Sequence, residues 1–145
     1  MKYLIDTCVI SELIKPMPDA NVEKWFYSKK EESLHISVLT FGELKKGISK
    51  LTDSKKKNSL IEWLAEIENR FIERTLDVNK EVAESWGLIQ GLLEKKGEPM
   101  PTIDALIACT AITNSMAVVT RNTKDMARSG VELINPWLLT TPSQG

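Results

Sequence analysis

Four acidic residues, Asp6, Glu43, Asp104 and Asp125, fall where one cluster of carboxylates could form. Asp6 ends a short apolar run, Glu43 and Asp104 lie early in amphipathic stretches, and Asp125 follows closely on a second apolar run. Carboxylates gathered together repel, and a pair about 4 Å apart costs on the order of 4 kcal/mol at an effective dielectric of about 20. A fold that assembles them needs a cation, or must keep some of them protonated. An all-oxygen donor set suits a hard divalent ion such as Mg²⁺ or Mn²⁺. Such an ion, with a substrate phosphate completing its shell, serves phosphodiester hydrolysis by activating a water for in-line attack. Glu43 or Asp125 would then orient that water or accept its proton. The expected products carry 5′-phosphate and 3′-hydroxyl ends, because the ribose 2′-hydroxyl is not the nucleophile.

Each acid also has a structural alternative. Thr40 with Glu43 has capping-box spacing, and Asn122 with Asp125 is a looser version. Asp104 lies near the positive end of its helix dipole. Asp6 is hardest to explain this way, because Thr7 beside it is the better cap. The only histidine, His35, sits in a strand-like run and reads as a partly exposed strand residue. A metal-free acid–base pair would need a second partner that the chain lacks. Among the basic residues, Lys45, Lys46, Lys50 and Lys55 to Lys57 read mainly as solvated helix surface. Arg121 and Lys124 bracket Asn122 near the acids and are the better candidates for phosphate contact. Trp25, Trp63 and Trp86 fall on helical apolar stripes and read as packing residues, and Trp137 is placed to cover a core edge.

The elements that must position these groups alternate. Tyr3 to Ile5, Leu34 to Ser37, Ala117 to Val119 and Glu132 to Ile134 read as short strands, with a weaker candidate in Phe71 to Leu76. Helices are expected from Thr7 to Leu13, from Pro18-Asp19 through Phe26, and along Phe41, Leu44, Ile48 and Leu51. Others are expected over Lys55 to Glu68, from Val82 to near Gly97, and from a Thr102 cap past Ala111, with a short turn from Asn122 to Arg128. Strands alternating with helices imply an α/β fold with a short, mostly parallel sheet between helical layers. Ligands in such sheets lie beyond the carboxyl ends of the strands.

A chain of 145 residues fits one domain, placed at residues 1–137 with a tail from 138 whose last residues, 140–145, are expected to fray. With 42% hydrophobic and 27% charged residues, disorder is excluded as a general state. A net charge of −1 excludes a strongly basic nucleic-acid coat, so any nucleic-acid chemistry must use a local patch or a metal. Cys8 and Cys109 form no CxxC pair and read as two reduced thiols. No secretory signal or membrane-spanning run is visible, and a cytoplasmic location is expected.

The stretch Leu4-Ile-Asp-Thr-Cys-Val-Ile-Ser-Glu-Leu13 resembles the first motif of PIN-domain ribonucleases, and Ser37-Val-Leu-Thr-Phe-Gly-Glu-Leu-Lys-Lys-Gly47 resembles their second. Asp104-Ala-Leu-Ile-Ala108 and Val119-Thr-Arg-Asn-Thr-Lys-Asp125 resemble the third and fourth. Each motif alone is weak, but four in order, spanning Met1 to Pro136, are specific. The subgroup most similar is the VapC-type toxins of toxin–antitoxin pairs. The resemblance implies a PIN-like three-layer α/β/α fold, and Mg²⁺ or Mn²⁺ held by Asp6 and Asp104 with Glu43 and Asp125 completing the site. It also implies Thr7, Thr120 and Asn122 as supporting groups, RNA cleavage, a homodimer, and a cognate antitoxin with a DNA-binding domain. Two positions depart from the family pattern. Cys8 stands where Asn is frequent, and Met126 where Phe is frequent. Two rival readings are a catalytically inactive binding module on the same fold and a phosphoacceptor receiver domain. The receiver reading is weakened because no acid neighbours Asp6 and Asn135-Pro136 follows the last strand.

Overall fold

Residues 1–139 are described in a computed structural model, so the tail expected over 140–145 lies outside the described residues. The short apolar runs form strands: β1 (Tyr3–Ile5), β2 (Leu34–Ser37), β3 (Thr75–Leu76), β4 (Ala117–Val119) and β5 (Leu133–Ile134). They pair in the order β3-β2-β1-β4-β5, and every pairing is parallel. Parallel neighbours require crossover connections, which the helices supply. These are α1 (Thr7–Leu13), α2 (Ala20–Ser28), α3 (Val38–Ser49), α4 (Lys55–Arg70), α5 (Lys80–Lys95), α6 (Thr102–Thr113) and α7 (Thr123–Met126).

The period of two along a strand separates two cores. Ile5, Val119, Leu34 and Ile36 face one layer, built from α1 to α4 with Val9, Val22, Phe26, Leu44 and Leu64. Leu4 and Val118 face the other, where Ala105, Ile107 and Ala108 of α6 pack with Leu93 and Met126. The result is the expected three-layer α/β/α arrangement. Met126 is fully buried, so the residue after the fourth acid is a packing position. Among the described residues, no helix is long and apolar enough to cross a membrane.

Several local expectations change. Asp6, not Thr7, occupies the cap position of α1. Helix α3 begins at Val38 with Ser37 as its cap, so Thr40 and Glu43 lie inside the helix and form no capping box. Pro101, not Thr102, precedes α6, and no side chain caps it. The third strand shrinks to two residues because Ile72–Arg74 takes a 3-10 turn after buried Phe71. His35 is buried rather than partly exposed. Its Nδ1 lies 3.3 Å from the Ser33 carbonyl oxygen, and burial pushes its pKa down.

One buried amide sets where α6 begins. Gln90 of α5 donates to the Met100 carbonyl at 2.6 Å and accepts from the Met100 N–H at 3.1 Å. This clamp fixes the Pro99-Met100-Pro101 segment, and with it the first turn that carries Asp104. Gln90→Leu would leave both Met100 groups buried and unpaired. Denaturant unfolding is expected to show a loss of about 3 kcal/mol, since each orphaned group costs about 1–3 kcal/mol.

Candidate active site

Strand order reverses between β1 and β4, which leaves a crevice at their carboxyl ends. Asp6 emerges from β1 and Thr120 from β4, so both side chains start at this crevice. Ile5 and Val119 are partners in register, and the Asp6 N–H donates to the Val119 carbonyl at 3.0 Å. Asp6 is only 6% exposed. Its Oδ1 accepts from the Thr7 N–H at 2.9 Å, and its Oδ2 from the Thr120 hydroxyl at 2.8 Å. Burial nevertheless raises its pKa above the ordinary carboxylate value, with a further push from Glu43.

Glu43 reaches the same place from the second turn of α3. Its Oε1 accepts from the Thr7 hydroxyl at 2.6 Å, and Thr7 also lies 3.3 Å from Thr40 Oγ1. Thr40 is fully buried, a supporting contact that the sequence pattern does not reveal. Asp104 projects from the first turn of α6, where Asn122 Nδ2 donates to its Oδ2 at 2.8 Å. Asn122 therefore binds another acid instead of capping α7. The pKa of Asp104 is pushed up to about 6, first by burial and then by the charges of Asp6, Glu43 and Asp125. The charges of the other three acids thus all reach Asp104.

Asp6, Thr7, Cys8, Glu43, Asp104, Arg121 and Asn122 line a pocket of about 470 Å³. Asp125 and Lys124 stand outside this lining. Asp125 Oδ1 lies 3.7 Å from the Arg128 guanidinium, and Arg128 also donates to the Pro99 carbonyl at 2.9 Å. The charge of Asp125 is one of those that raise Asp104. Cys8 replaces polar support with sulfur. Its Sγ is 3.8 Å from Asp6 Oδ2 and 3.5 Å from Thr120 Oγ1, and it accepts the Arg121 N–H at 3.4 Å. Burial and the Asp6 charge push the Cys8 thiol pKa up.

The donor chemistry of Asp6, Glu43 and Asp104 fits a hard divalent ion, because the three offer oxygen ligands around one pocket. Among the described residues, no group of three or more His, Cys, Asp or Glu side chains is already gathered at metal-holding spacing.

Thr120 is the hub of this arrangement. It is fully buried, donates to Asp6 and accepts the Asn122 N–H at 2.9 Å. Thr120→Val keeps the shape but orphans that N–H and strips Asp6 of a donor. A loss of about 1–3 kcal/mol at neutral pH is expected in denaturant unfolding, and Thr120→Ser should restore most of it.

The PIN domain family model matches residues 3–130. The chain belongs to the PIN-domain family. This PIN domain is 36% identical to the toxin FitB of Neisseria gonorrhoeae over 92% of the chain and 97% of that protein. It is 30% identical to the VapC ribonuclease Y4jK of Sinorhizobium fredii, over 92% and 96%. In three dimensions it is similar to FitAB bound to an IR36 DNA fragment, with a TM-score of 0.90 and 34% identity, covering 96% of this chain and 98% of that one. Family membership removes the receiver-domain reading. Of the four motif acids, Asp6 just after β1, Glu43 in the second turn of α3 and Asp104 in the first turn of α6 line the pocket, and Asp125 of α7 lies outside its lining.

Proposed function

We propose that this PIN domain is a Mg²⁺- or Mn²⁺-dependent endoribonuclease and the toxin of a toxin–antitoxin pair. The observation that carries the reading is the meeting of Asp6, Glu43 and Asp104, from three separate elements, at one pocket whose field raises Asp104. Its similarity to proteins named as a toxin and as a VapC ribonuclease supports the RNA substrate class and the toxin role. The solved FitAB assembly on DNA supports a cognate antitoxin that binds DNA. The family pattern is the ground for a homodimer and a cytoplasmic location.

Asp6 and Asp104 would hold the ion, with Glu43 and Asp125 completing its charge balance. When bound, it would supply Lewis-acid stabilisation of the phosphate and a lower pKa for the attacking water. The protein's own groups do the rest. Thr7 occupies Glu43 Oε1, which leaves the other carboxylate oxygen to take the proton of the attacking water. Asn122 and Thr120 fix the rotamers of Asp104 and Asp6, so the acids enter the reaction oriented. The leaving group is the 3′ oxygen of the neighbouring nucleotide. Sequencing and end-labelling of RNA fragments after induction tests this. Fragments with 5′-phosphate and 3′-hydroxyl ends are expected, whereas 2′,3′-cyclic phosphates would overturn the mechanism.

A further inference from the structure

Arg121 borders the carboxylate pocket, yet among the described residues it forms no ion pair within 4 Å. An exposed guanidinium beside several carboxylates would ordinarily swing onto one of them. Here it is held elsewhere, with its Cζ 5.0 Å from the centroid of the Trp137 ring. Glu12 is also near enough to feel the charge of Arg121, but its two oxygens are committed to Lys15 Nζ and the Asp19 N–H, both at 2.8 Å.

The indole is itself fixed. Trp137 follows β5, the neighbour of β4, so it stands beside the loop that carries Arg121. Its backbone N–H donates to Asn135 Oδ1 at 3.0 Å, and its carbonyl accepts from Asn21 Nδ2 at 3.2 Å. The half-buried ring packs against the core layer of α1 to α4. A guanidinium stacked on an aromatic face keeps its N–H edges free for a phosphate and loses less rotamer entropy on binding.

We infer that Trp137 is a positioning residue for the substrate: its indole face holds the Arg121 guanidinium at the pocket rim, where it meets an RNA phosphate. The inference rests on the ribonuclease reading. RNA phosphates approaching a carboxylate pocket are repelled, and one pre-oriented cation on the rim offsets that repulsion where the strand enters. Neither the four motifs nor helical periodicity marks Trp137, because its role depends on β5 lying beside β4.

A double-mutant cycle tests the inference, read as binding of a labelled single-stranded RNA by anisotropy over a range of KCl, in EDTA so that no cleavage intervenes. Trp137→Leu is expected to weaken binding about 3- to 10-fold, the range of a cation–π contact. Arg121→Ala should weaken it at least as much and lower the salt slope by about 1. The double variant should bind no worse than Arg121→Ala alone, and Trp137→Phe should recover most of the affinity. With Mn²⁺ present, the Trp137→Leu loss should fall on KM more than on kcat. Additive losses would overturn the inference, since Trp137 would then act independently, as a stacked base would require. A folded Trp137→Phe as weak as Trp137→Leu would also overturn it. If melting shows that Leu is not tolerated, the cycle is run with Phe. A small effect of Trp137→Phe when Arg121 is present, and none when it is combined with Arg121→Ala, supports the inference; equal effects in the two backgrounds overturn it. A parent protein that neither binds nor cleaves RNA would instead overturn the ribonuclease reading.

Discussion

Asp6→Asn is expected to lower RNA cleavage by about three orders of magnitude with the fold intact, because it removes a metal-holding charge and leaves the hydrogen bonds. The asparagine oxygen can accept from the Thr7 N–H, as Asp6 Oδ1 does now. The amide can donate to Thr120 Oγ1, whose hydroxyl rotates to receive it. Burial and Glu43 oppose the charge of Asp6 in the native protein. Losing that charge is therefore expected to raise, not lower, the metal-free melting temperature at neutral pH. Such opposition between stability and activity is usual where a site concentrates like charge. Cleavage assays in Mn²⁺ and thermal melts in EDTA check the two halves separately. Parent-like cleavage by Asp6→Asn would sink the enzyme assignment. Lost cleavage with a lower melting temperature would mean that Asp6 is mainly structural.

The Asp104 contribution to metal-free stability should fall as pH rises from about 4 through about 6, and divalent cations should reverse that fall. The sign follows from Asp104, whose pKa is pushed up to about 6 in the folded state from an ordinary value of 3.8. Between those values the folded state binds more protons than the unfolded one, so stability decreases with rising pH. Asp6, also raised, acts in the same direction. Buried His35 acts oppositely: its lowered pKa means that acidification below about 6.5 costs stability. The informative quantity is therefore the difference in pH slope between the parent and Asp104→Asn, measured by thermal unfolding in EDTA. The parent should lose more stability on going from about pH 5 to about pH 7. Mn²⁺ at about 100 times its Kd should then add about 2.7 kcal/mol at about pH 7.5 and much less at about pH 5, where protons occupy the site. Identical slopes, or stabilisation independent of pH, would show that the acids do not act as one cluster.

Most of the architecture is legible locally. Tyr3–Ile5, Leu34–Ser37 and Ala117–Val119 read as strands because buried parallel strands are short apolar runs, and that composition leaves little ambiguity. Helix ends are less legible. A Thr or Ser can cap only if its backbone is extended, and tertiary contacts decide that. Thus Ser37 takes the cap from Thr40, and Asp6 takes it from Thr7. His35 departs from its expected exposure because alternation suggests an outward face, whereas both faces of this sheet are covered by helices.

The site divides along the same line. Residue type and order are enough to nominate Asp6, Glu43, Asp104 and Asp125, since each lies just beyond an apolar run or in a first or second helical turn. Whether each is a cap or part of a cluster lies beyond any local pattern. The distinction depends on long-range partners: Thr120 on Asp6, Thr7 on Glu43, Asn122 on Asp104. Those contacts join residues 18 to 114 positions apart. The Thr120 contact exists because β1 pairs with β4, the Thr7 contact because β1 also pairs with β2, and the Asn122 contact because α6 begins beside the turn that follows β4. Packing alone also separates Asp125 and Lys124 from the pocket lining and places Arg121 on Trp137. Helix-forming and strand-forming tendencies act over a few residues, so they are readable in the chain. The direction of a side chain at a shared edge is set by sheet order, and that belongs to the folded protein.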